Sequence, residues 1–130
     1  MTAPLLVLVV EDEPLNTKLM RDVLEASGFA VIHADTGREG IRLALERRPD
    51  VILMDIGLPD IDGIRTLGHL RDWPETRQTP VAAVTAQAMK GDRERLLAAG
   101  FDEYMAKPID VRALPGEVRR LAAGRAEEPE

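Results

Sequence analysis

The sequence predicts a doubly wound α/β fold: one sheet of five short parallel strands with five helices covering both of its faces. Two observations carry that expectation. Short apolar runs alternate with stretches of helical periodicity along the whole chain. Polar residues capable of chemistry collect at the C-terminal ends of those runs, which are otherwise largely apolar. Strict strand–helix alternation implies crossover connections, and right-handed crossovers lay successive helices on a parallel sheet. At 130 residues there is material for one core and too little for two.

The elements follow in order. Leu5–Val10 (LLVLVV) is a continuous apolar run, the pattern of a strand buried on both faces. Pro14–Ser27 sets Leu15, Leu19, Val23 and Leu24 at helical spacing, an apolar stripe expected to face the core, and Gly28 stands where a C-terminal cap belongs. Phe29–Ala34 is a second, weaker strand. Thr36 is placed to cap a helix containing Gly40, Ile41, Leu43, Ala44 and Leu45, closed at Arg48-Pro49. Val51–Met54 is the third strand, with Asp55 at its end. Pro59-Asp60 and Asp62-Gly63 mark a loop before a helix holding Ile64, Leu67 and Leu70. Pro80–Thr85 is the fourth strand, Asp92–Ala99 a short helix stopped by Gly100, Phe101–Ala106 the fifth strand and Val111–Ala123 the last helix. Pro115-Gly116 fits poorly inside that helix, because proline lacks the amide donor and glycine weakens helix propensity; a late start or a kink is expected. One domain over residues 1–123 and a disordered tail over 124–130 (GRAEEPE) complete the expectation.

Composition excludes several functions. Lys+Arg 17 against Asp+Glu 23 leaves a net charge of −6, whereas a nucleic-acid binder carries a basic stripe. With no cysteine there is no disulfide framework, thiolate chemistry or cysteine zinc site. The N-terminal apolar run has no basic segment before it and is too short for a signal core or a membrane span. A cytoplasmic, soluble protein without nucleic-acid or membrane partners is expected.

In an open parallel sheet, ligands bind beyond the carboxyl ends of the strands. Those ends carry Glu11 and Asp12, Asp55, Thr85 and Lys107. Three carboxylates converging on one place raise each other's pKa unless a cation compensates them. Oxygen-only ligands suit magnesium, and the lack of histidine and cysteine there disfavours zinc. Phosphoryl transfer needs a nucleophile, a cation on the phosphoryl oxygens and donors for the remaining charge. Asp55 is the candidate nucleophile, forming an aspartyl-phosphate. Glu11 and Asp12 hold the metal in this reading, and Thr85 and Lys107 bind phosphoryl oxygens.

The segments VVEDE (Val9–Glu13), LMDIGLP (Leu53–Pro59), AVTA (Ala83–Ala86) and KP (Lys107-Pro108), in that order and spacing, resemble the four signatures of bacterial response-regulator receiver domains. The resemblance covers nearly the whole chain. EDEPLNTKLM (Glu11–Met20) and TAQAMKGDRERLLAAGFDEYMAKPI (Thr85–Ile109) are most similar to single-domain receivers of the DivK type and to receivers of hybrid histidine kinases. It implies the flavodoxin/CheY-like strand order 2-1-3-4-5 and a phosphoacceptor at Asp55. It implies Mg2+ (or Mn2+) on Glu11, Asp12, Asp55 and the backbone carbonyl of Gly57. It further implies a switch pair, Thr85 and Tyr104, a cis bond before Pro108, and a small residue, Ala86, that leaves the phosphoryl site open. Gly57 and Gln87 flank the site and are placed to tune hydrolysis. The implied donor is a histidine kinase or histidine phosphotransfer protein. The implied output is a protein contact through the face from the fourth strand to the fifth helix, by a monomer or a phosphorylation-dependent dimer. A complete, stand-alone receiver is expected, catalysing only its own phosphoryl transfer and dephosphorylation.

Rival readings leave marks of their own. A magnesium-dependent aspartyl-phosphate phosphatase needs a second aspartate two residues after the nucleophile, where this chain has Gly57. A non-phosphorylated pseudo-receiver would lack one of Asp12, Asp55, Thr85 or Lys107. A flavin module wants a Ser/Thr/Gly-rich loop after the first strand, where Glu11-Asp12-Glu13-Pro14 has the wrong charge for a phosphate. His33 and His69 are expected to be structural or exposed rather than phosphorylated.

Overall fold

A computed structural model of the chain describes residues 3–86 and 91–127. The elements are β1 (Leu6–Val10), α1 (Pro14–Ala26), β2 (Ala30–Ala34), α2 (Gly37–Arg47), β3 (Val51–Asp55), α3 (Gly63–Arg71), β4 (Val81–Thr85), α4 (Asp92–Ala99), β5 (Glu103–Ala106) and α5 (Leu114–Glu127). The strands form one parallel sheet in the order β2-β1-β3-β4-β5, as expected.

Because side chains alternate across a strand, each central strand feeds two cores. Val7, Val9, Val51, Leu53, Ala82 and Val84 point to one face and pack with Met20 and Leu24 of α1 and Leu114, Val118 and Leu121 of α5. Leu8, Val10, Ile52, Met54, Val81 and Ala83 point to the other and pack with Ala44 of α2, Leu67 and Leu70 of α3 and Leu96 of α4. β3 and β4 are buried along their whole length, while the edge strands β2 and β5 are mostly half-buried.

Side-chain oxygens cap three helices: Glu13 receives the amide of Leu15, Thr36 that of Glu39, and Asp62 that of Arg65. At the start of α3, Gly63 is required by a close approach. A Cβ there would stand 2.9 Å from the Cα of Ile56, and the Gly63 amide donates to the Ile56 carbonyl at 3.0 Å. That contact pins the loop following Asp55.

One expectation is corrected, and the late start expected of the last helix is found. Leu15 and Leu19 do not join the core; they are 75% and 41% exposed, and the buried face of α1 is Thr17, Met20 and Leu24. Leu24 and, half-buried, Val23 of the expected stripe do pack inward, joined by Met20, against Val7, Val9 and α5. The last helix starts at Leu114, after a turn in which the Asp110 carboxylate accepts the amides of Arg112 and Ala113. Pro115 therefore sits in the first turn, where a missing donor costs nothing. α5 runs on across Gly124 to Glu127, where the tail was expected to begin; residues 128–130 of that tail lie outside the described residues.

Candidate functional site

Asp55 is the last residue of β3 and is 7% exposed. Its Oδ1 accepts the Gly57 amide at 3.0 Å and its Oδ2 accepts the Lys107 ammonium at 3.2 Å. Glu11 directly follows β1, which pairs with β3 through Val10↔Met54, so strand register alone brings Glu11 beside Asp55. Asp12 follows it at the exposed rim. Each of the three carboxylates offers one oxygen, and these oxygens lie within 4.8 Å of one another. Lys107 arrives from the end of β5, its amide donating to the Thr85 carbonyl at 2.8 Å.

Glu11 is 1% exposed. Its Oε2 accepts the Glu13 amide at 3.0 Å. The Lys107 ammonium lies 2.8 Å from its buried Oε1 as an ion pair. Burial pushes the Glu11 carboxyl above its ordinary value; Lys107 and the Glu13 amide offset only part of that, and Asp55 adds to the rise. Burial also opposes the charge on Lys107, but Glu11 and Asp55 outweigh it and hold the ammonium above its ordinary value. The site thus sets three carboxylates, one of them buried, against a single lysine ammonium. A hard divalent cation fits that donor set.

Thr85 ends β4 and is buried. It shares the sheet face of Ala83, toward α4, by the two-residue alternation of a strand. Tyr104 lies opposite Ala83 in register and is half-buried against the same apolar cluster. It also lines a cavity of about 280 Å³ with Arg93, Glu103, Pro108, Leu114 and Glu117. Ala86 is exposed just beyond Thr85, and the Lys107-Pro108 bond is cis. A Cβ at Gly57 would stand 3.8 Å from Asp55 Oδ1, an ordinary contact, so this position is open above the acceptor. Gln87 lies outside the described residues.

One residue of this neighbourhood was expected only to be structural or exposed, and its contacts prove specific. His33, near the end of β2, places Nε2 2.8 Å from the Glu11 carbonyl, 3.3 Å from Thr17 Oγ1 and 3.1 Å from Asp35 Oδ1. Its signal in the sequence is slight: one polar residue in an otherwise apolar strand, AVIHA.

The model of the response regulator receiver domain family matches residues 7–119. The chain belongs to that family. This receiver is 51% identical over 108 residues to the polar-differentiation response regulator DivK of Brucella anthropi, covering 83% of this chain and 88% of that one. Among solved structures it is similar to the receiver domain of the sensor histidine kinase PA1611 from Pseudomonas aeruginosa PAO1, with a TM-score of 0.85 and 36% identity over 93% of this chain and 99% of that one. That structure has a magnesium ion coordinated in its active site cleft. A CheY-like receiver domain protein from Methanospirillum hungatei JF-1 has a TM-score of 0.87 at 25% identity, over 97% of this chain and 99% of that one. The strand order and the four signatures are therefore those of a DivK-like receiver of two-component signalling. Among the described residues no helix is long and apolar enough to cross a membrane.

Proposed function

We propose that the receiver takes a phosphoryl group onto Asp55 from a phosphohistidine of a histidine kinase or phosphotransfer protein, and that this changes its α4–β5–α5 surface. The observation that carries the reading is the site's charge balance. Asp55 stands at the end of β3 with Glu11 and Asp12 within carboxylate reach and Lys107 against two of the three.

Glu11, Asp12, Asp55 and the Gly57 carbonyl would hold magnesium, which neutralises charge on the transferring phosphoryl oxygens when bound. The chain's own groups do the rest. The Gly57 amide orients Asp55 by holding Oδ1. A carboxylate oxygen of Asp55 attacks phosphorus in line; the new O–P bond forms as the N–P bond breaks, and the electron pair stays on the imidazole nitrogen of the donor. Lys107 transfers its charge from the carboxylate to a phosphoryl oxygen, and the Thr85 hydroxyl donates to another. As Thr85 turns, Tyr104 moves into the space it leaves, on the same sheet face, and α4 follows. Leu96 is the buried residue anchoring α4, so this helix is readily shifted. Leu15 and Leu19 of α1, which begins two residues after Asp12, are exposed and offer apolar contact to the phosphodonor. The receiver acts as a stand-alone, cytoplasmic domain and catalyses only its own phosphorylation and hydrolysis.

Intact-mass spectrometry after incubation with acetyl phosphate and magnesium tests the reading, with Asp55→Asn alongside. One added phosphoryl group on the wild type and none on the variant is expected. No addition to either would establish a pseudo-receiver instead.

A further inference from the structure

We propose that His33 is a positioning residue for the acidic pocket: its Nε2–H holds the backbone of Glu11, and through it the carboxylate that would face the metal. The proposal rests on the reading of the site given above. The β1–β2 ladder ends with Val10↔Ala34, and the Glu11 amide still donates to the Ala34 carbonyl at 3.0 Å. Beyond that point the chain turns into α1, and the donor that the Glu11 carbonyl receives is a side chain, His33 Nε2 at 2.8 Å. A carbonyl can only accept, so the ring proton sits on Nε2.

The same nitrogen lies 3.3 Å from Thr17 Oγ1, whose hydroxyl donates to the Glu13 carbonyl at 3.2 Å. Glu13 in turn gives its amide to Glu11 Oε2 at 3.0 Å and caps α1 through its own carboxylate. His33 thus holds the Glu11 carbonyl while the Glu13 amide holds its carboxylate, and together these fix where Glu11 stands relative to Lys107 and Asp55. Asp35 Oδ1 lies 3.1 Å from the same nitrogen, on a largely exposed side chain. No other contact ties the Glu11 carbonyl among the described residues. Hydrogen-bonded partners of this kind orient metal ligands, and their loss weakens metal binding although they never touch the ion.

The test is magnesium titration calorimetry on the full chain, with thermal melts in EDTA to verify folding. Two variants remove the donor, His33→Ala and His33→Leu, the second keeping side-chain bulk; His33→Gln replaces it with an amide N–H of similar reach. Both donor-free variants should bind magnesium about tenfold more weakly, the lower end of the range for outer partners of metal ligands, and His33→Gln should return to near wild type. Wild-type affinity in His33→Ala and His33→Leu, or equal weakness in all three, overturns the proposal while leaving the site reading intact. If the wild type binds no more tightly than Asp12→Ala, the site reading falls and this proposal with it.

Discussion

Lys107→Ala in the metal-free protein offers a quantitative test of the pocket's charge balance. The lysine is 14% exposed and compensates Glu11 at 2.8 Å and Asp55 at 3.2 Å. Removing one partner of a buried pair leaves an uncompensated charge, which is strongly destabilising unless the remaining group neutralises itself. Glu11 has that escape, because burial already holds its carboxyl above the ordinary value of 4.5. The escape sets a ceiling. Keeping a carboxyl of that ordinary value protonated at pH 7 costs about 3 kcal/mol, at about 1.36 kcal/mol per pH unit. At pH 5 the same ceiling is below about 1 kcal/mol. The sign follows: the folded state binds the proton more tightly than the unfolded chain, so the variant loses stability as pH rises above the ordinary carboxyl value. Thermal melts in EDTA should show a loss of up to about 10 °C at pH 7, shrinking to about 3 °C or less at pH 5. Lys107 itself stays charged throughout, its pKa being held above the ordinary 10.5. Magnesium supplies the missing positive charge, so saturating salt should raise the melting temperature of the variant more than that of the wild type. A loss independent of pH, or an equal magnesium shift in both proteins, would refute the reasoning.

Other outcomes follow from single contacts. Glu103 is half-buried; burial pushes its carboxyl up, but the Tyr104 amide, Arg120 and Arg93 more than reverse this, leaving it below the ordinary 4.5. Glu103→Gln should cost about 1 kcal/mol at neutral pH, since both arginines are largely exposed, and the difference from wild type should vanish as pH falls through the depressed value; a loss persisting in acid argues against the ion pairs. Gly63→Ala forces a Cβ to within 2.9 Å of backbone and should cost about 1–3 kcal/mol in urea unfolding, whereas an unchanged midpoint means that the loop yields freely. Leu15→Asp with Leu19→Asp should leave the melting temperature and acetyl phosphate labelling nearly unchanged while slowing transfer from a phosphohistidine donor at least several-fold; unaltered transfer removes α1 from the docking surface.

Element order, the parallel sheet and the carboxyl-end cluster were legible in the chain because each follows from a local or periodic signal. Continuous apolar runs mark strands covered on both faces, and Asp55, Thr85 and Lys107 stand where those runs stop. Proximity of Glu11 to Asp55 could also be anticipated, since parallel neighbours bring equivalent strand ends together. What the tertiary structure alone decided is which part of the apolar face of α1 turns inward. Spacing grouped Leu24 with Leu15 and Leu19, and packing against β1 and α5 takes in Leu24 and Met20 while leaving the other two exposed. It alone decided the role of His33 as well. The Nε2 contact with Glu11 spans residues 22 positions apart and depends on the direction of one side chain, which no periodicity encodes. Local pattern determines what the elements are; long-range packing determines which faces and which single atoms meet.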